Sequence, residues 1–336
     1  MQKGIVTLSS HPSLICASSV VGKKEKDGPL GELFDVCDET DTFEKPTWEQ
    51  SESEMQRIAL NTALDKGGFT IHDIDAIFAG DLINQCTSSG YGLANFDAQF
   101  FGLFGACSTM AESMILASML VDSGKYSRTA AVTSSHNCTA ERQFRNPLEY
   151  GSQRAPTAQW TVTGAAALII GTGENTPYIA DVLPGRVCDK GINDANNMGA
   201  AMAPAAVDTL KRYFDESGSV PKDFDAIFTG DLGYEGSGIL VDLLSSDGYD
   251  ISRVHRDCGL LIYDRERQDM HAGGSGCGCC ATVFAAHILP SLYDGRLKNI
   301  LFMATGAMMN TASLQQGLTI PGIAHLLHIK AGGENG

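Results

Sequence analysis

The sequence predicts an α/β protein made of two similar halves, each alternating short buried strands with helices. Three observations carry that expectation. Asp73-Ile-Asp-Ala-Ile-Phe-Ala-Gly-Asp-Leu82 recurs as Asp223-Phe-Asp-Ala-Ile-Phe-Thr-Gly-Asp-Leu232, identical at eight of ten positions with an offset of 150. An amphipathic helical pattern precedes each copy. A glycine-opened helix and a further apolar strand follow each copy, there at an offset of 171.

In chain order, Thr47 and Gln50 form a capping box for a helix whose buried face is Met55, Ile58, Ala59 and Ala63. Gly67-Gly68 ends it. Ala76-Ile-Phe78 is a strand that leaves through the Gly80-Asp81 turn. Gly105-Ala-Cys107 opens a helix to about Asp122, and Gly124-Lys-Tyr-Ser-Arg128 leads into the strand Thr129–Thr133. In the second half, Val207, Leu210, Tyr213 and Phe214 mark a helix before Gly218, and Ala226-Ile-Phe228 is the strand. Gly276-Cys-Gly278 opens the corresponding central helix, and Gly295-Arg-Leu-Lys-Asn299 leads into Ile300–Ala304. Strands joined by helices imply largely parallel sheets. The duplication implies two sheets related by a pseudo-twofold axis, with the two glycine-opened helices meeting at the centre. The halves are divided as residues 1–175 and 176–336.

Composition excludes several classes. The 336 residues are 43% hydrophobic and 19% charged, a globular balance. A membrane span needs a run of ~18 apolar residues, and stretches such as Ala165–Ile170 are only strand-sized. The N-terminus carries no secretion-signal pattern, so the ten cysteines read as reduced intracellular thiols of a soluble, cytoplasmic-type protein. A net charge of −16 argues against binding nucleic acid or bare anionic lipid. The acids Asp35, Asp38, Glu39, Asp41 and Glu44 lack the glycine and terminal ligand of a calcium hand and read as a solvated loop. Cys277-Gly-Cys279-Cys280 lacks a fourth ligand at metal-site spacing and reads as small-residue packing between central helices. No phosphate-loop or dinucleotide pattern is present.

Chemistry concentrates at Phe104-Gly-Ala-Cys107-Ser-Thr109. A cysteine at a helix start is favoured as a thiolate by unpaired N–H groups and the helix dipole. With the duplicated α/β setting, Gly-Ala-Cys-Ser-Thr resembles the thiolase superfamily, which includes the β-ketoacyl synthases. The Gly-rich segment Trp160–Gly171 and the closing Phe302-Met-Ala-Thr-Gly306-Ala-Met-Met309 add to that likeness. Within the superfamily, seven segments resemble the stage V sporulation protein AD family: Lys23–Gly31, Phe104–Thr109, Thr133–Asn137, Thr139–Arg145, Met202–Ala206, Asp257–Tyr263 and Ala272–Cys277.

The resemblance implies a layered αβαβα thiolase-like fold of two βαβ-rich halves, related to β-ketoacyl synthase III, and a homodimer. It also implies a protein that binds dipicolinic acid, free or with calcium, for uptake into the developing spore. Membrane-embedded subunits of the uptake system would then be partners that hold it at the spore inner membrane. No cofactor is expected beyond calcium arriving with the ligand.

Condensing enzymes also need histidine beside the thiolate. Gly230-Asp231 stands where the first histidine is expected, and His271 is a loose match for the second. A thiolase's second cysteine would fall near Thr305-Gly306. The site therefore reads as a degenerate centre with Cys107 a vestigial nucleophile. Its pocket is expected to draw on Cys107, Thr163, Asp231 and Ser275, with His136 and Asn137 as donors and Arg142 and Arg145 for a carboxylate. The alternative readings are an acyltransferase or condensing enzyme acting through a Cys107 thioester, and a purely structural subunit with an empty pocket.

Overall fold

A computed structural model of the chain describes residues 4–144 and 154–332. The first half contributes strand β1 (Ser13–Gly22), helix α1 (Trp48–Gly67), β2 (Ala76–Gly80), β3 (Gln99–Gly102), α2 (Thr109–Asp122), β4 (Arg128–Ser135) and β5 (Gly164–Gly171). The second contributes β6 (Tyr178–Leu183), α3 (Met198–Ser217), β7 (Ala226–Thr229), α4 (Gly233–Ser246), β8 (His255–Asp257), α5 (Cys277–Val283), β9 (Asn299–Ala307) and β10 (Gly322–Lys330). Their spatial orders, β3-β2-β4-β5-β1 and β8-β7-β9-β10-β6, are the same pattern drawn twice.

Two expectations need correction. The half-sheets are mixed, not largely parallel: β3-β2-β4 and β8-β7-β9 are parallel, while β4-β5-β1 and β9-β10-β6 are antiparallel. An antiparallel return needs no crossover helix, so the helix-rich stretches of sequence foretold only the parallel part. The two half-sheets also join into one continuous sheet, through the single pair Ser13–Tyr178 between β1 and β6.

Local signals place the outer helices. The Thr47 hydroxyl accepts from Gln50 N at 3.4 Å to start α1, and Gly68 ends it in the left-handed region at φ 68°. The α1 face of Met55, Ala59, Leu60 and Ala63 packs on Ile77, Ala130, Val132 and Ala165 of the first half-sheet. In the same way α3 sets Leu210, Tyr213 and Phe214 against Ile227, Leu301 and Met303. The opposite faces of both half-sheets, including Phe78, Leu168, Phe228 and Phe302, close on Met110, Met114, Cys279 and Phe284 of the central segments. This is the five-layer α-β-α-β-α order, with central helices α2 and α5 enclosed.

The central layers approach closely. A Cβ on Gly306 of β9 would lie 2.3 Å from the Gly105 carbonyl oxygen, and one on Gly278 of α5 would lie 2.3 Å from that of Gly164. Both positions admit only glycine at this spacing. The first of them seats the Cys107 turn against β9. Among the described residues, no helix is long and apolar enough to cross a membrane.

Candidate functional site

Cys107 sits in a turn, two residues ahead of α2 rather than within its first turn. Ala106 adopts the left-handed region at φ 51°, a conformation that a residue with a side chain rarely takes. Hydroxyls of the next two residues hold the turn: Ser108 donates to Gly105 O at 2.6 Å and Thr109 to Ala106 O at 2.6 Å. The turn aims Cys107 at the start of α5, where its Sγ lies 3.8 Å from the Ser275 hydroxyl.

Behind Ser275 lies Asp231, only 1% exposed. Its carboxylate accepts from the Ser275 hydroxyl at 3.0 Å, Gly276 N at 2.9 Å and the Thr305 hydroxyl at 3.0 Å. Thr305 occupies the place where a second cysteine was sought. Its role is foreshadowed by Ser134, its counterpart at the 171 offset, which bonds the buried Glu52 in the first half. Burial raises the Asp231 pKa to about 6 despite these bonds. Burial, and after it the Asp231 charge, pushes the Cys107 thiol well above its ordinary value. Desolvation and a carboxylate thus oppose the thiolate that a helix start favours.

The cleft over Cys107 is lined by Leu82, Phe104, Ala106, Phe144, Thr161, Met198, Ser275, Ala307 and Met309. Its volume is about 30 Å³, room for about one water. These apolar walls come from both halves, and only Cys107 and Ser275 among them were read from sequence.

The other expected residues are placed elsewhere. His136 is fully buried, but its Nε2 bonds Asp41 O at 2.9 Å, its Nδ1 accepts from Cys138 N at 3.1 Å, and its ring lies against Trp48. Both nitrogens are committed, burial lowers its pKa, and it does not line the cleft. Asn137 stands one residue behind the wall, donating its amide to Thr161 O at 3.3 Å. Thr163 accepts from Asn137 N and gives its own N–H to Glu25, away from the cleft. Arg142 pairs with Glu49 on the surface. Arg145 lies outside the described residues. His271 bonds Ala155 O at 2.8 Å and Asp269 at 3.2 Å, so the structure does not bring it to Cys107.

A wider groove of about 620 Å³ lies by the start of α1, beside Lys45, Glu49, Glu54, Arg57 and Tyr91. Its cations are already matched: Lys45 and Arg57 pair with Glu54. Three of the acids of residues 35–44 are likewise taken up by neighbours, Asp35 by Lys66, Glu39 by Lys23 and Lys26, and Asp41 by Lys23 N. Cys277, Cys279 and Cys280 are buried in α5, and burial pushes all three thiols up. Among the described residues no group of three or more His, Cys, Asp or Glu is arranged to hold a metal ion.

Comparison with known proteins agrees with this architecture. The family model for stage V sporulation protein AD matches residues 2–330. The protein of that name from Bacillus subtilis (strain 168) is 45% identical over 327 residues, covering 97% of this chain and 96% of the relative. Among solved structures, a variant of Xanthomonas campestris OleA superposes with a TM-score of 0.62 at 13% identity, covering 97% of this chain and 99% of that one. The 3-oxoacyl-(acyl carrier protein) synthase III of Xanthomonas oryzae pv. oryzae gives 0.59 at 14%, covering 94% and 98%. At such identities the likeness to the solved structures establishes the shared thiolase-like fold alone.

Proposed function

The chain belongs to the stage V sporulation protein AD family, and on that premise we propose that it serves sporulation by binding dipicolinate rather than by joining acyl groups. One observation carries the reading. Among the described residues, the hydrogen-bonding side chains that run back from Cys107 are Ser275, Asp231 and Thr305, and neither they nor the cleft lining include an imidazole. A condensing step develops negative charge, and Asp231 supplies the wrong sign there. A thiol raised by burial and by that carboxylate is also a poor nucleophile.

The same surroundings favour one form of the ligand. Free dipicolinate is a dianion near neutral pH, and both Asp231 and the net charge of −16 oppose it. Its 1:1 calcium chelate is neutral. The apolar walls suit the flat pyridine ring. At about 30 Å³ the cleft admits the ring only when Phe104, 45% exposed, and Phe144 swing outward.

Titration calorimetry at pH 7 tests this. Dipicolinate with calcium is expected to bind with saturation, and more tightly than dipicolinate alone. Met198→Trp, which fills the cleft from a half-buried wall position, is expected to abolish binding while the protein stays folded. Absence of heat with the wild type, or full binding by the variant, contradicts the reading. In the rival acyl-transfer reading, acyl-CoA leaves a mass adduct on Cys107 that turns over; we expect no adduct. Silence in both assays would leave a structural subunit.

We also propose a homodimer through the edge strand β3. Phe100 and Phe101 of β3 are 44% and 40% exposed, and Leu116 and Met119 of α2 are exposed as well. Such an edge is left open only when something covers it. The covering partner assigned here is a second copy of the chain. Sedimentation velocity is expected to give a dimer for the wild type and a monomer for Phe100→Glu; a wild-type monomer at micromolar concentration contradicts this. Attachment at the spore inner membrane is assigned to membrane-embedded protein partners, in keeping with the negative net charge.

A further inference from the structure

The two halves differ at one matched position, and in the second half a cleft lies beside it. In the first half, β2 and β3 pair Phe78 with Phe101, and the two rings stack at 4.8 Å with 6° between their planes. In the second half, β7 and β8 pair Phe228, the counterpart of Phe78, with Arg256. The stacking ring is absent there. A cleft of about 260 Å³ lies beside Phe228, walled by Leu261 and Leu297 and edged by Arg256, His287 and Arg296.

Two arginines edge this cleft, in a molecule whose net charge is −16. Arg256 bonds only the carbonyl oxygens of Arg253 and His255, so its charge has no carboxylate partner among the described residues. Arg296 gives its Nε to Asp294, an exposed pair that solvent screens. The one acid in the wall, Asp225, is held at 2.7 and 2.9 Å by the backbone N–H groups of Lys298 and Asn299. His287 sits in the wide π turn Phe284–Ile288, a local irregularity that recurs at functional sites. At the 171 offset the first half carries Leu116 in its place.

We propose that this cleft is a second binding site, specific for a flat aromatic carboxylate. Phe228 is only 3% exposed, so the ring takes the place beside it that Phe101 takes beside Phe78 only as the side chain of Arg256, its register partner, swings outward; the carboxylate then meets Arg256, Arg296 and His287. Its shape and its charge each exclude a class: an aliphatic acid lacks the stack, and a neutral ring lacks the ion pair. The inference does not depend on the assignment of the Cys107 cleft.

Benzoate is the probe, followed by the side-chain Nε–H resonances of Arg256 and Arg296 and by calorimetry. We expect saturable shifts at both arginines, with benzyl alcohol and cyclohexanecarboxylate binding at least tenfold more weakly. Arg256→Gln, an exposed change that spares the fold, is expected to weaken benzoate tenfold or more. Arg256→Phe rebuilds the first-half stack, so it is expected to close the site and abolish binding. Met198→Trp at the other cleft is expected to leave benzoate unaffected, which separates failure of one site from failure of the other. No binding at millimolar benzoate, or undiminished binding by Arg256→Phe, overturns the proposal.

Discussion

Asp231→Ala is expected to destabilise the protein by about 3–5 kcal/mol, because it strands buried donors that one carboxylate now satisfies. Those donors are the hydroxyls of Ser275 and Thr305 and the N–H of Gly276 at the head of α5. They belong to β9, the start of α5 and the wall of the cleft, so the loss loosens the centre of the molecule. Asp231→Asn keeps an acceptor for Ser275 and Gly276 and can donate its amide to Thr305, and should cost about 1 kcal/mol. It also removes the charge that holds the Cys107 thiol up, so alkylation of Cys107 by iodoacetamide should quicken several-fold. Urea unfolding and alkylation rates measure the two effects. An alanine variant with the wild-type midpoint would show that the network contributes nothing to the fold.

The second large effect is a decline of stability with rising pH. Burial raises Glu25 to about 7, Asp257 to about 7 and Asp231 to about 6, and Glu52 and Asp81 are also pushed up. Each of these groups keeps its proton in the fold where the unfolded chain, titrating near 4, has released it. Stability therefore falls as pH rises above about 4 and levels off above about 8. Exposed acids pull the other way at low pH: Asp73, Asp189 and Asp294 are lowered by hydrogen bonds, so their contribution is lost as pH falls through their folded values. A tenfold difference in proton affinity between the folded and unfolded chain corresponds to about 1.4 kcal/mol. The thermal midpoint should peak near pH 4 and lie on the order of 10 °C lower at pH 8.5. Glu25→Gln should flatten that slope. A midpoint that holds steady or climbs between pH 5 and 8.5 would contradict the account.

Much of the architecture was legible because it is written twice. The repeated Asp-Ala-Ile-Phe strand, the Thr47 cap and the glycines at 105 and 276 each state a local rule, and the second copy removes the ambiguity that a short apolar run carries. The junction of Ser13 with Tyr178 was not legible, since one backbone pair leaves no pattern in the sequence. At the site, Cys107 and Ser275 were found through glycine-flanked helix starts, and Asp231 through its place after a repeated strand. His136 does not line the cleft as expected, and His271 was only a loose match, for a common reason: closeness along the chain to a strand end or helix start says nothing of where the side chain points. The ring of His136 turns onto Trp48, and His271 turns out to Asp269. The difference between Phe101 and Arg256 appears only once the register of both edge strands is known.

The central claim is that a thioester centre has become a binding cleft. A crystal grown with calcium and dipicolinate tests it most directly. The account predicts a pyridine ring beside Cys107, between Met198 and Met309, with Phe104 and Phe144 turned outward. A ring found only in the groove by Lys45 or beside Phe228, or a cleft still closed at saturating ligand, would contradict it.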